Sequence, residues 1–191
     1  MNEIWVVRHG ETEWSRRGRH TSVTDVPLTL AGRSAAATLA PQLGGHEFAL
    51  VLRSPLARAR ETATAAGFPD ALVDDDLREW DYGEFEGSTT PEIRARGAAY
   101  AQWSIWSGPV PGGESIDAVT ARARRVVTRA EAASGDVLIF GHGHFLRVFV
   151  AVALSFEPVA GRRFGLDAAR IGVLGAEHEA RVLQIWNAPS A

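Results

Sequence analysis

The sequence predicts an α/β fold, a three-layer sandwich with a mostly parallel central sheet, and three observations predict it. Apolar runs of strand length alternate with segments of helical periodicity, the order expected of strand–helix–strand units rather than of segregated layers. Two of those runs, Ile4-Trp5-Val6-Val7 and Val137-Leu138-Ile139-Phe140, are apolar at every position, as strands buried on both faces are. The chain has 191 residues, 46% of them hydrophobic and 23% charged, which suits one domain spanning 1–191 with a sizeable core.

The elements follow in order. Ile4–Val7 is the first strand. Thr29 is placed to cap a helix running to Leu43 and ended by Gly44-Gly45. Ala49–Arg53 reads as the next strand, and Pro55 stands near the start of a helix reaching Ala66. A polar strip at Val73–Leu77 leads to Glu79. From there the chain is rich in Trp, Gly and Pro, with a short helical piece at Pro91–Trp103. Residues 80–114 therefore read as a small insertion over the end of the sheet. Ser115 is a good N-cap with Asp117 in the first turn, and Ile116, Val119, Ala123, Val126 and Ala130 keep helical spacing. Asp136–Phe140 is a buried strand, Phe145–Leu154 an apolar helix behind it, and Ile171–Ala176 with Arg181–Trp186 a closing hairpin that gives an antiparallel edge.

Both fully apolar strands run into histidine turns: Arg8-His9-Gly10 after the first, Gly141-His142-Gly143-His144 after the other. Ligands of open α/β sheets bind just beyond the carboxyl ends of the strands. The two turns are thus expected to build one site from opposite ends of the chain.

Composition narrows the chemistry. There is no cysteine, hence no disulfide, thiolate metal site or cysteine nucleophile. All 20 basic residues are arginine, which excludes a Walker A lysine and Schiff-base chemistry. A phosphate site here must use arginine, histidine and backbone N–H groups, and the guanidinium fork suits phosphate oxygens. The net charge of -3 gives no reason to expect nucleic acid. No apolar run reaches membrane-spanning length and the chain opens on a strand, so the expectation is a cytoplasmic protein without a membrane partner. Apolar edge strands make a homodimer an expectation as well.

Four blocks, in order, resemble the histidine phosphatase superfamily, which includes the cofactor-dependent phosphoglycerate mutases. They are Arg8-His9-Gly10-Glu11-Thr12 with Thr24–Thr29; Ser54-Pro55-Leu56-Ala57-Arg58-Ala59-Arg60-Glu61-Thr62-Ala63; Leu77-Arg78-Glu79-Trp80-Asp81-Tyr82-Gly83 with Glu86-Gly87; and Gly141–Arg147. The resemblance implies that His9 accepts the phosphoryl group and becomes phosphohistidine, and that Arg8, Arg58 and His142 surround the phosphoryl oxygens. It implies Glu79 as proton donor and Tyr82 as a substrate contact. Such roles make chemical sense. A neutral imidazole can attack phosphorus if its other nitrogen is fixed, and preorganised cations stabilise the charge that spreads over the phosphoryl oxygens. On the residues alone, Glu11, Glu13, Asp81 and Glu84 compete with Glu79. Ser15, Thr21, Ser22, Gly143 and His144 complete the expected substrate-binding set.

No metal and no cofactor are expected. His142-Gly143-His144 lacks third and fourth ligands nearby. Asp74-Asp75-Asp76 reads as a solvated acidic turn rather than a magnesium site, and Gly141-x-Gly143 lacks the rest of a dinucleotide fingerprint. Arg16, Arg17 and Arg19 form a basic loop, open to two readings: an attractor of anionic substrates or a solvated surface. The mutases carry asparagine where this chain has Ser15 and a Ser/Thr-Gly-Trp run where it has Thr21-Ser22-Val23, and the connection from Glu79 to Ser115 is shorter than theirs. Glu13-Trp14-Ser15, Asp74–Trp80, Gly112–Ser115 and Ile171–Leu174 are closer to two phosphatase branches, the broad-specificity acid phosphatases and the sedoheptulose-bisphosphatase type. The expectation is a metal-independent phosphomonoesterase for small phosphorylated metabolites. A phosphoglycerate mutase is the first alternative and a non-catalytic phosphate-binding module the second.

Overall fold

The computed structural model of the protein describes residues 1–189. Its sheet contains β1 (Ile4–Arg8), β2 (Leu50–Arg53), β3 (Leu72–Val73), β4 (Val137–Gly141), β5 (Ile171–Glu177) and β6 (Ala180–Ala188), in the spatial order β3-β2-β4-β1-β5-β6. The pairs β3–β2, β2–β4 and β4–β1 are parallel, while β1–β5 and β5–β6 are antiparallel. The sheet is thus mostly parallel and closes with the antiparallel hairpin the sequence foreshadows.

Alternation along the central strand creates the layers. Ile4 and Val6 point into one cluster with Val119, Ala123, Val126, Phe145, Leu146 and Phe149. These belong to α6 (Ile116–Glu131) and α7 (Gly143–Ala153). Trp5 and Val7 point to the opposite face, against Leu39, Leu43, Ala63 and Phe140. That second layer comes from α3 (Ala40–Leu43), α4 (Ala57–Ala65) and the chain preceding them. A strand covered on both faces has no polar alternation to show, which is why Ile4–Val7 of β1 and Val137–Phe140 of β4 are apolar at every position.

Several expectations are corrected. The helix expected between Thr29 and Leu43 is two pieces, α2 (Leu30–Ala37) and α3, although Thr29 caps as expected, accepting from the Gly32 N–H. Pro41 is the cause: it lacks an N–H and its ring would strike the carbonyl four residues back, Ala37. The polar strip expected at Val73–Leu77 overlaps at Val73 with a two-residue strand, β3, whose side chains are exposed and so carry no burial signal. Helix α7 begins at Gly143 rather than Phe145. Within residues 80–114 the helical content is α5 (Thr90–Arg94) and single 3-10 turns, less than Pro91–Trp103 suggested. A further short helix, α1 (Glu13–Arg16), follows the first histidine turn, closed by a capping box between Thr12 and Ser15. No helix of the described residues is long and apolar enough to cross a membrane.

The acidic turn is not free in solvent. Asp74 pairs with Arg129 at 2.7 Å, Asp76 with Arg125 at 2.6 Å and Asp75 with Arg78 at 2.9 Å. Arg125 and Arg129 lie one turn apart on α6, so that helix grips the turn through successive arginines. Solvent screens these pairs, so each contributes little by itself.

Candidate active site

Register brings the two histidine turns together. Arg8 of β1 sits opposite Gly141 of β4, and the next backbone N–H, that of His9, donates to the Gly141 carbonyl at 2.9 Å. His9 and His142 leave adjacent strands side by side, with ring centroids 5.2 Å apart. Two segments distant in sequence thus meet at the carboxyl edge of the sheet.

His9 is buried, and its Nδ1 lies 2.7 Å from the Gly10 carbonyl. A carbonyl can only accept, so Nδ1 carries the hydrogen and Nε2 keeps its lone pair. Burial, then Arg58 and Arg8, holds the His9 pKa well below the usual histidine value, keeping the ring neutral. The turn is anchored by the Gly10 N–H, which donates to Thr62 Oγ1 of α4 at 2.9 Å.

Arg58 is fully buried. Its Nε donates to His142 Nδ1 at 3.2 Å, Nη1 to the Thr24 carbonyl at 3.1 Å, and Nη2 to the carbonyls of Thr21 and Ser22 at 3.2 Å each. Because arginine only donates, His142 Nδ1 must accept, and its Nε2–H then donates to Ser54 Oγ at 2.7 Å. Burial first, then Arg58 and His9, pushes the His142 pKa well below normal. These two residues form a layer beneath His9 rather than an open wall. Four hydrogen bonds leave Arg58 one N–H uncommitted.

The cavity above His9 encloses about 160 Å³ and is lined by Arg8, His9, Ser15, Arg19, His20, Thr21, Glu79, Tyr82, Gly143, His144 and Arg147, among others. Arg8 donates through Nη1 to the Leu166 carbonyl, while its buried Nε has no hydrogen-bond partner among the described residues. A β-carbon at Gly143 would come within 3.2 Å of that guanidinium, so the glycine lets Arg8 lie across the start of α7. Glu79 is buried against the first turn of α7: the N–H groups of His144 and Phe145 donate to its two carboxylate oxygens at 3.0 and 2.8 Å. A helix N-terminus offers unpaired N–H groups and partial positive charge, so a carboxylate is well held there.

The expected substrate set divides. Ser15, Thr21, Tyr82, Gly143 and His144 line the cavity. Ser22 does not: its hydroxyl donates to Glu86 at 2.7 Å, and the carboxylate also receives the Ser22 and Thr24 N–H groups. It shapes the loop rather than facing the opening. Of the basic loop, Arg19 reaches the cavity, while Arg16 and Arg17 pair with Glu13 on the surface. Among the rivals of Glu79, Glu11, Glu13, Asp81 and Glu84 are absent from the lining.

Sequence reasoning passed over His20 and Arg147. His20 packs on Tyr82 with centroids 4.7 Å apart, and burial lowers its pKa to about 4. Arg147 lies 4.8 Å over the Trp106 ring. The available signals were that Arg147 closes the fourth motif block and that His20 stands between Arg19 and Thr21. The Tyr82 hydroxyl lies 2.6 Å from His144 Nδ1, and a buried phenol normally donates. No group of three or more His, Asp or Glu side chains that could hold a metal ion occurs among the described residues.

Comparison with known proteins gives a consistent picture. Residues 4–189 match the family described as the histidine phosphatase superfamily (branch 1). The chain is 39% identical over 188 residues to an acid phosphatase of Mycobacterium tuberculosis, covering 96% of this chain and 91% of that one. It is 33% identical over 177 residues to a sedoheptulose 1,7-bisphosphatase of Saccharomyces cerevisiae, covering 77% and 65% of the two chains. A solved structure of an open reading frame product of Mycobacterium tuberculosis superposes with a TM-score of 0.93 at 39% identity, covering 100% and 99%.

Proposed function

Because the chain belongs to the histidine phosphatase superfamily, we propose that it is an enzyme hydrolysing phosphomonoesters of small metabolites through a phosphohistidine at His9, without a metal ion. The observation that carries this reading is the state of His9. Its Nδ1 is held by the Gly10 carbonyl, and burial together with Arg58 and Arg8 lowers its pKa, which favours a neutral ring whose Nε2 serves a cavity shared with Arg8 and Glu79.

In the first step the Nε2 lone pair forms a bond to phosphorus and the phosphorus–oxygen ester bond breaks. The departing oxygen takes a proton from Glu79. In the second step water attacks the phosphohistidine, Glu79 accepts a water proton, and the nitrogen–phosphorus electron pair returns to Nε2. Inorganic phosphate leaves, and Glu79 is protonated for the next cycle. Arg8, which lines the cavity with an unsatisfied Nε–H, is suited to bind phosphoryl oxygens, and Arg58 adds its charge from the buried layer. His142 supports the site from below, its orientation fixed by Arg58 and Ser54. Ser15, Thr21, Tyr82, Gly143 and His144 would meet the rest of the substrate.

The test is phosphate release from sugar mono- and bisphosphates, 3-phosphoglycerate and p-nitrophenyl phosphate, with chelator present, comparing wild type with His9→Ala. Release together with acid-labile labelling of the protein, both abolished in the variant, is expected. Labelling that survives the substitution removes His9 as nucleophile, and phosphoryl exchange without release would make the chain a mutase.

A further inference from the structure

We propose that Arg122, locked to Glu114, is the positioning residue that sets the carboxyl group of Glu79 for proton transfer; the inference rests on the reading of Glu79 as proton donor. Residues 78–82 lie outside any helix or strand, so no regular ladder fixes them. Their carbonyls need donors from elsewhere. Arg122 of α6 supplies those for Arg78 and Glu79, and for Asp76 just before them. Its Nη1 donates to the carbonyls of Asp76 at 2.6 Å and Arg78 at 3.0 Å, and its Nη2 reaches that of Glu79 at 3.5 Å.

The same guanidinium is held by Glu114, from Nε at 2.8 Å and from Nη2 at 2.7 Å, a two-pronged pair that fixes its plane. Its side chain is 13% exposed and that of Glu114 24%, so solvent screens the pair only in part. Glu114 grips the far side of the segment: its N–H donates to the Asp81 carbonyl, its carboxylate accepts the Asp81 N–H, and its carbonyl accepts the Trp80 indole N–H. Residues 76–81 are thereby clamped from both ends by one ion pair.

A second contact links the clamp to the reacting group. The Arg122 guanidinium lies 4.9 Å over the ring of Phe145, and the N–H of Phe145 is one of the donors holding the Glu79 carboxylate. Arg122 therefore touches both the backbone that carries Glu79 and the residue that receives its side chain, without lining the cavity itself. Loss of it is expected to let the carboxyl group drift while leaving His9 in place.

Leaving-group dependence tests this. An alkyl phosphate needs a proton from Glu79 as the ester bond breaks, whereas 2,4-dinitrophenyl phosphate, with a stable leaving anion, does not. For Arg122→Ala we expect kcat/KM for the alkyl ester to fall roughly 10²-fold, the cost of misplacing a reacting group by about an ångström. The value for the dinitrophenyl ester should stay near wild type. Arg122→Lys, which keeps charge but cannot bridge Glu114 and the carbonyls, should show the same selective loss in smaller measure and guards against a variant that fails to fold. Equal losses on both esters in the folded variant, or no loss on either, would overturn the proposal. Glu79→Gln serves as reference. A selective loss there but not in the Arg122 variants defeats the positioning role alone. No selective loss in Glu79→Gln defeats the reading of Glu79 and this inference with it.

Discussion

Arg58 shows what single residues cost and supply in this site. A guanidinium taken wholly out of water is tolerable only because His142, Thr24, Thr21 and Ser22 offer acceptors around it. Removing it would strand those acceptors and the carboxylates that face it. Arg58→Ala is expected to destabilise the fold by roughly 3–5 kcal/mol, a drop in melting temperature of about 6–20 °C for a domain of this size. A calorimetric scan checks this, and an unchanged transition would show that the buried network matters little. His9 supports a pH prediction at the same scale. Its pKa lies well below 6.5, so the lone pair persists as pH falls through that value. The His9 ring should stay neutral as pH falls through 6.5, and an NMR titration of its ring protons showing protonation near that value would contradict the neutral ring. The residues of the four motif blocks were legible because each chemistry needs a particular side chain. Ser54 as a partner of His142, Glu86 as the holder of the Ser22 loop, and His20 were not. Their roles depend on contacts across the fold that spacing does not encode.

At the scale of elements, two glycines decide how closely the first histidine turn approaches its support. A β-carbon on Gly32 of α2 would stand 2.2 Å from the Glu11 carbonyl oxygen, and one on Gly10 would stand 2.5 Å from that of Gly32. Backbone packs on backbone there, leaving no room for a methyl group. Gly32→Ala is expected to cost roughly 1–3 kcal/mol, as overpacking does, and to depress phosphate release by shifting the turn that carries His9. Paired melting and turnover measurements test it, and a variant matching wild type in both would show that the turn can move freely. Helices with capping residues and clean periodicity, α6 above all, could be read directly from sequence. The break at Pro41 was visible in principle but outweighed by the apolar pattern around it. Strand β3 was not visible, since two exposed residues at a sheet edge carry neither alternation nor burial.

The whole molecule is a device for neutral histidines in a cationic setting. His9, His20, His142 and His144 all have pKa values lowered first by burial. In the unfolded chain they would take up protons near pH 6.5, whereas His20 in the folded protein does so only at about 4. Between those values the unfolded state binds more protons, so stability falls as pH drops. The lowered Asp76 carboxyl, held first by its hydrogen bond to Arg125, acts in the same direction at more acidic pH. The urea midpoint should therefore be lower at pH 5 than at pH 7, and an equal or higher midpoint at pH 5 would contradict these burial shifts. Strand–helix alternation made the layered architecture legible, and the motif blocks made the cavity legible. The division of Arg58 and His142 into a buried layer required coordinates.

The strand order has one more implication. Strand β1 is the first of the sheet in the chain, yet its partners, β4 and β5, are among the last. During synthesis His9 emerges early on an apolar strand that has no sheet partner until β4 is made, and whose other edge stays unpaired until residues beyond 170 are available. Folding thus depends on closing a long loop before the centre of the sheet gains anything, a topology that slows folding and exposes sticky intermediates. It also means that the His9 turn cannot lie beside that of His142 until β4 has been made, so the two halves of the cavity come together late.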